Sequence, residues 1–435
     1  MLVLLKHFKF LGAMLLLGFC IPLKAQRLEE VSPPASLRTI IFKSGQEDQF
    51  PIVRLGESIR LQFDDLQANE EDYFFKIIHC TAQWTPSDLL KSQYLDGLDN
   101  QRIIDHKNSY NTLVPYSHFN LEIPNENLRL KLSGNYMLQV FNTYDELQFS
   151  RRFLVYEDLV GVQAAVKRSR SLASLNTRQT LEFSLNTQNI GINQPEKELE
   201  VVLLKNYQWD TEISGVQPLY NNGKVLVYDY DQLTSFWGGN EYLNFDTKDM
   251  RAATAAIQEV HLEDIYEHYL YPNTPRNNKP YTYFPDVNGD FIPRTLQGTL
   301  PEREGDYTWV HFSLKPSSIG NTDTYIYVLG KFNNYTPSPE YLMTYNALQN
   351  VYQARILFKQ GFYNYSYALS SAPFEINSYE KEKKAGHTLD HYSIDGNFHF
   401  TENQYQILVY FKGFRDQHQR LVGIGSSNSS TIKDQ

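Results

Sequence analysis

Three groups of residues in this chain have the types and spacing that chemistry would need. His79 and Cys80 pair a base with a thiol. Asp286-Val287-Asn288-Gly289-Asp290 places oxygen ligands at the first, third and fifth positions of a calcium loop. His261, Asp264 and His268 share one face if that stretch is helical. None of the three completes its chemistry. Adjacent residues in a strand point to opposite faces, so His79 cannot activate Cys80. A calcium loop of the EF-hand type needs Gly at its sixth place and Glu at its twelfth, where this chain has Phe291 and Gln297. The histidines part company if their stretch is a strand. The expectation is therefore a buried, inert thiol, an Asx-rich turn, and no metal or cofactor. The sequence also has no nucleophile elbow, no His-Glu-x-x-His, no phosphate-binding glycine loop and no dinucleotide fingerprint, and nothing in it points to an enzyme.

The elements that would position any site are strands. Runs such as Tyr325-Ile326-Tyr327-Val328-Leu329 and Phe362-Tyr363-Asn364-Tyr365 are β-branched or aromatic and are broken by Gly and Asn. Similar runs cover 58–63, 73–81, 116–123, 136–142, 147–156, 162–166, 180–185, 200–204 and 404–411. They predict a mainly all-β chain of tandem immunoglobulin-like β-sandwiches, the last resembling an early-set sandwich. The expected division is 37–156, 158–299 with a long Pro- and Asn-rich loop at 271–288, and 300–414, followed by a flexible tail at 423–435. The stretch 247–269 reads as either helix or strand, since its alanines favour one and its alternating hydrophobes the other.

Residues 1–25 have the layout of a secretory signal: Lys6 and Lys9, an apolar run from Phe10 to Ile21, and a small residue at Ala25 ahead of Gln26. Removing this segment takes three lysines and moves the formal net charge from −10 to −13, which speaks against a nucleic-acid partner. No later stretch has membrane length. Only Cys80 would remain, so no internal disulfide can form. Aromatic residues make up 14% of the chain, with 31 Tyr, a composition that suits sandwich cores and binding surfaces alike.

Several segments together resemble one known family. In order they are His79-Cys80-Thr81-Ala82-Gln83-Trp84; Ser109-Tyr110-Asn111-Thr112; Ser133-Gly134-Asn135-Tyr136; Gly238-Gly239-Asn240-Glu241-Tyr242; Tyr271-Pro272-Asn273; Asp286-Val287-Asn288-Gly289-Asp290; and the module from Gly330 to Tyr367. The chain resembles the plug protein of the type IX secretion system along nearly its whole length after residue 25. That resemblance implies a periplasmic protein on the inner side of the outer membrane, whose partner is the very large translocon β-barrel and whose role is to close that lumen when idle. Aromatic residues beside Pro, Gly or Asn in loops are the expected contacts: Trp84, Trp237, Tyr281, Tyr283 and Phe284. The alternative is a carbohydrate-binding sandwich protein, for which Trp309 or Tyr345 would have to lie flat and exposed.

Overall fold

The computed structural model describes residues 27–45, 50–69, 71–316 and 324–434. The expected signal segment and its cleavage point lie outside them. The chain is mainly β, built as three sandwiches.

The first sandwich packs the sheet Leu37–Ser44, Ile59–Asp65, Ser117–Ile123, Asp105–Asn108 against the sheet Ile52–Arg54, Leu147–Tyr156, Gly134–Phe141, Phe74–Cys80, Gln101–Arg102. Alternate residues of each strand enter its core. Phe63 stacks on Phe119 at 5.0 Å and meets Phe149 edge-on at 5.3 Å.

The second sandwich places Gly161–Arg168, Arg178–Asn186, Val225–Tyr228 and Tyr220–Asn222 in one sheet. The other sheet contains Gln208–Ser214, Leu199–Lys205, Gln404–Phe411 and Arg420–Asn428. Strands from the far end of the chain therefore complete a domain begun some two hundred residues earlier. Val201 faces Val409 and Leu203 faces Ile407 in that antiparallel pair.

The third sandwich is inserted between those halves. Its sheets are Leu243–Asp246, Gly361–Ser370, Phe291–Pro293, and Ile257–Leu262, Tyr266–Leu270, Tyr307–Leu314, Val351–Lys359, Thr344–Asn346; Tyr325–Leu329 also pairs with Gly361–Ser370.

This topology corrects the sequence-based division in three places. Strands from 243 to 293 belong to the third sandwich and not to a central domain ending at 299. Strand Gln404–Phe411 belongs to the second sandwich and not to a module ending at 414. The supposed tail is the strand Arg420–Asn428, followed by Ile432 buried in the second core. The cause is the same each time. A contiguous reading cannot see backbone pairing across an insertion, and the Ser-Asn composition of 423–435 hides that Ile432 reaches the core. The ambiguous stretch 247–269 resolves as the hairpin Ile257–Leu262 and Tyr266–Leu270, closed by the pairs Val260–His268 and His261–Glu267.

The first and second sandwiches meet sheet to sheet. The outward residues Cys80, Met137 and Leu154 of one pack on Val202, Leu204, Leu408, Tyr410 and Leu421 of the other, and the Tyr410 hydroxyl donates to Asn135 Oδ1 at 2.7 Å. Both faces of these strands are thus covered. This explains why Gln404–Phe411 is hydrophobic with no solvent-facing alternation.

Candidate partner-binding surface

Trp84 is not available to a partner. It closes a turn in which its N–H donates to the Thr81 carbonyl at 2.9 Å, with φ at +63°, a conformation bulky residues rarely adopt. Its ring is fully buried, edge-on to Trp209 at 4.8 Å, with the Arg152 guanidinium 4.6 Å from its centroid. The neighbouring Thr85-Pro86 made it read as a surface loop residue, whereas it packs the seam between the first two sandwiches.

The other four expected contacts gather where the chain leaves the second sandwich and returns to it. Trp237 ends the strand Ser235–Trp237 with 41% of its surface exposed, and Arg178 covers one face of its ring at 3.8 Å. The outgoing segment follows at once. A Cβ on Gly238 would collide with the carbonyl oxygen of Phe398 on the returning segment, so only glycine lets the two segments of the connection lie this close. Tyr281 joins both segments: its hydroxyl donates to Glu241 on the outgoing one and to the Phe400 carbonyl, at 3.2 Å, on the returning one. The Tyr283 hydroxyl reaches Glu402 at 3.2 Å, and Phe284 beside it is about half exposed. Phe400, whose ring lies 6.0 Å from that of Tyr281, is exposed here too and escaped the sequence reading because its neighbours His399 and Thr401 carry no loop signal.

The surface is acidic as well as aromatic. Burial pushes the Glu241 carboxyl up to about 7, against the pull of Tyr281 and the Glu402 N–H. Burial also raises Asp286. A ridge of partly exposed rings with Glu402 beside it can bury apolar area in a partner and accept hydrogen bonds from it, while Glu241, itself buried, holds Tyr281 in place.

The rigid frame behind this ridge comes from contacts among all three sandwiches. Asp64 and Lys359, both with side chains at 0% exposure, pair at 2.7 Å between the first and third. Asp64 also accepts from Tyr307 at 2.6 Å and from His118 Nδ1 at 2.7 Å. Asp306 accepts the Leu113 and Val114 N–H groups across the same boundary. The segment Arg27 to Ser32 straps the junction. Leu28 N–H donates to the Trp84 carbonyl at 2.7 Å, Glu30 accepts from Arg152 N–H and from Asn334, and Ser32 N–H donates to Asn377. A cleft of about 550 Å³ lined by Arg151, Tyr207, Trp209, Lys331 and Tyr379 opens beside this strap. None of these contacts had a local sequence signal.

The residues singled out for chemistry are held in structural roles. His79 is buried, with Nδ1 2.9 Å from Ser87 Oγ, and burial lowers it to about 4. Cys80 faces the opposite way into the seam, and burial pushes its thiol up to about 12. In the acidic loop Asp286 accepts the Tyr242 and Asn288 N–H groups, while Asp290 accepts that of Phe291. These are turn contacts and not a converging ligand set. His268 is buried against Thr308 at 2.7 Å, whereas His261 is exposed beside Glu259. Among the described residues no three His, Cys, Asp or Glu side chains converge as metal ligands. Of the two rings the glycan alternative would use, Trp309 is covered by Arg355 at 4.0 Å, whereas Tyr345 is about half exposed beside Tyr352. No helix among the described residues is long and apolar enough to cross a membrane.

Residues 37–157 match the family model for the first domain of the type 9 secretion system plug protein, in agreement with the resemblance seen in the sequence motifs. The crystal structure of a hypothetical protein from Parabacteroides merdae is similar over 93% of this chain and 100% of its own, at 27% identity and a TM-score of 0.84. A Salmonella alpha-2-macroglobulin reacted with methylamine aligns at 9% identity over 94% of this chain and 24% of its own, with a TM-score of 0.17 that carries no argument. No curated relative matches the chain.

Proposed function

We propose that this chain, whose residues 37–157 carry the first domain of the type IX secretion plug family, seals the outer-membrane translocon of that system from the periplasmic side. The family match over that domain is the observation that carries the reading. Large barrels enclose an aqueous lumen that must be closed when nothing passes. A plug for such an opening has to resist deformation, and three sandwiches cross-fastened by the Asp64–Lys359 pair, the sheet-to-sheet seam and the Arg27 to Ser32 strap form one stiff body. Its role is non-enzymatic: the carboxylates and histidines with chemical potential are engaged in turns and core contacts.

In this reading the barrel mouth is met by the aromatic and acidic ridge of Trp237, Tyr281, Tyr283, Phe284 and Phe400. The test is co-purification of the barrel from outer-membrane extracts on the immobilised chain. Wild type should retain the barrel. Tyr283→Ala/Phe284→Ala should lose most of it with an unchanged melting temperature, because both side chains are about half exposed. Capture unaffected by the double substitution removes the ridge from the interface, and failure of the wild type to capture any barrel removes the plug.

A further inference from the structure

At the far end of the seam between the first two sandwiches, the loop from Phe411 to Arg420 ends in Phe414, which is 99% exposed. Phe411 and Leu421 at its base are buried, so the tip alone projects. A loop of the first sandwich lies against it: Gln93 Nε2 donates to Gln417 Oε1 at 3.2 Å. That loop carries Leu90 at 71% exposure, and Lys91, paired with Asp99, holds Leu98 at 68% in the same neighbourhood. Large exposed apolar side chains are ordinary singly, but three on adjoining loops mark a contact surface.

The charges around the tip differ from those of the chain. Lys412 and Arg415 flank Phe414, while the protein as a whole carries a formal −10. Asp416, next to Arg415 in the chain, is turned back to accept the Gly413 N–H at 2.9 Å, and Arg420 pairs with Glu157 at 3.2 Å. Lys412 and Arg415 are thus placed to meet negative charge outside the protein. A projecting ring flanked by cations has the arrangement that interfacial membrane segments use, with the ring at the acyl boundary and the cations at the phosphates.

We infer that this tip inserts into the interfacial layer of a bilayer containing anionic phospholipid, with Phe414 and Leu90 taking the apolar contact and Lys412 and Arg415 the headgroups. The site is distinct from the ridge around Tyr281 and does not rest on the plug reading. If both hold, the membrane contact supplements the barrel contact by placing the protein against the inner leaflet.

The purified chain should co-sediment with phosphatidylglycerol–phosphatidylcholine vesicles and much less with phosphatidylcholine alone. Phe414→Ser should lower partitioning by about tenfold or more, as expected for removing one inserted aromatic ring. Lys412→Glu/Arg415→Glu should lower it by at least about thirtyfold, because both cations facing the headgroups are replaced by anions, and should abolish the preference for anionic vesicles. All three positions are on an exposed tip, and an unchanged melting curve confirms the fold of each variant. No sedimentation with anionic vesicles overturns the inference, as does sedimentation that Phe414→Ser leaves unchanged. Barrel capture in detergent that depends on Phe414, without vesicle binding, assigns the tip to a protein pocket and overturns it equally.

Discussion

Lys359→Met should unfasten the third sandwich from the first. The ammonium of Lys359 lies 2.7 Å from Asp64, donates to the Glu302 carbonyl at 2.7 Å and sits 4.2 Å from the Tyr116 ring centroid, with no solvent contact. Burial alone would push Asp64 toward its neutral form, yet Lys359 and His118 together bring it below the ordinary carboxylate value. Removing the cation leaves a desolvated carboxylate with only His118 and the Tyr307 hydroxyl. Breaking a buried pair from one side costs about 3 to 5 kcal/mol, a large part of the roughly 5 to 15 kcal/mol that stabilises a domain. The double variant Asp64→Leu/Lys359→Met should recover most of the loss, because two apolar groups at the same site leave no stranded charge. Equilibrium urea unfolding followed by tyrosine and tryptophan fluorescence measures this, and the single variant should split one transition into two as the domains uncouple. A single-variant loss below about 1 kcal/mol, a surface-pair value, would refute the reasoning. So would a double variant no more stable than the single one.

Other outcomes follow from groups already placed. The folded pKa of Glu241, about 7, lies above its ordinary 4.5, so the folded state holds that proton more tightly. Stability should fall as pH rises from 4.5 through 7, and Glu241→Gln should flatten a melting-temperature profile across that window. Cys80, buried and with its thiol raised to about 12, should resist iodoacetamide in the native protein and react fully in denaturant, as read by intact mass. Trp84→Ala should cost about 3 to 5 kcal/mol of folding, whereas Phe284→Ala should leave urea unfolding nearly unchanged, since one ring fills a seam and the other is about half exposed.

Strands were legible wherever alternate side chains of an aromatic or β-branched run enter a core. Leu147–Tyr156 has the same limits in the sequence reading and in the fold, because Phe149, Phe153 and Val155 alternate with outward residues. Strand Gln404–Phe411 was legible as a strand but not as part of the second sandwich: its partner Leu199–Lys205 is remote in sequence, and hydrophobic pattern carries no address. The same limit hid the Asp64–Lys359 pair and the Glu30 strap, whose members have ordinary local surroundings. For the ridge, the Pro- and Asn-rich stretch 271–288 pointed to Tyr281, Tyr283 and Phe284 by turn chemistry alone. The same cue misplaced Trp84, since a turn can face a neighbouring domain as readily as water.

The plug reading is tested most directly by uptake of a large antibiotic that an intact outer membrane excludes, measured in strains lacking this protein, the translocon barrel, or both. Uptake should be strong when this protein alone is absent and should return to the wild-type level when the barrel is removed as well, because an unsealed lumen is the leak. Equal uptake with and without the barrel would contradict it.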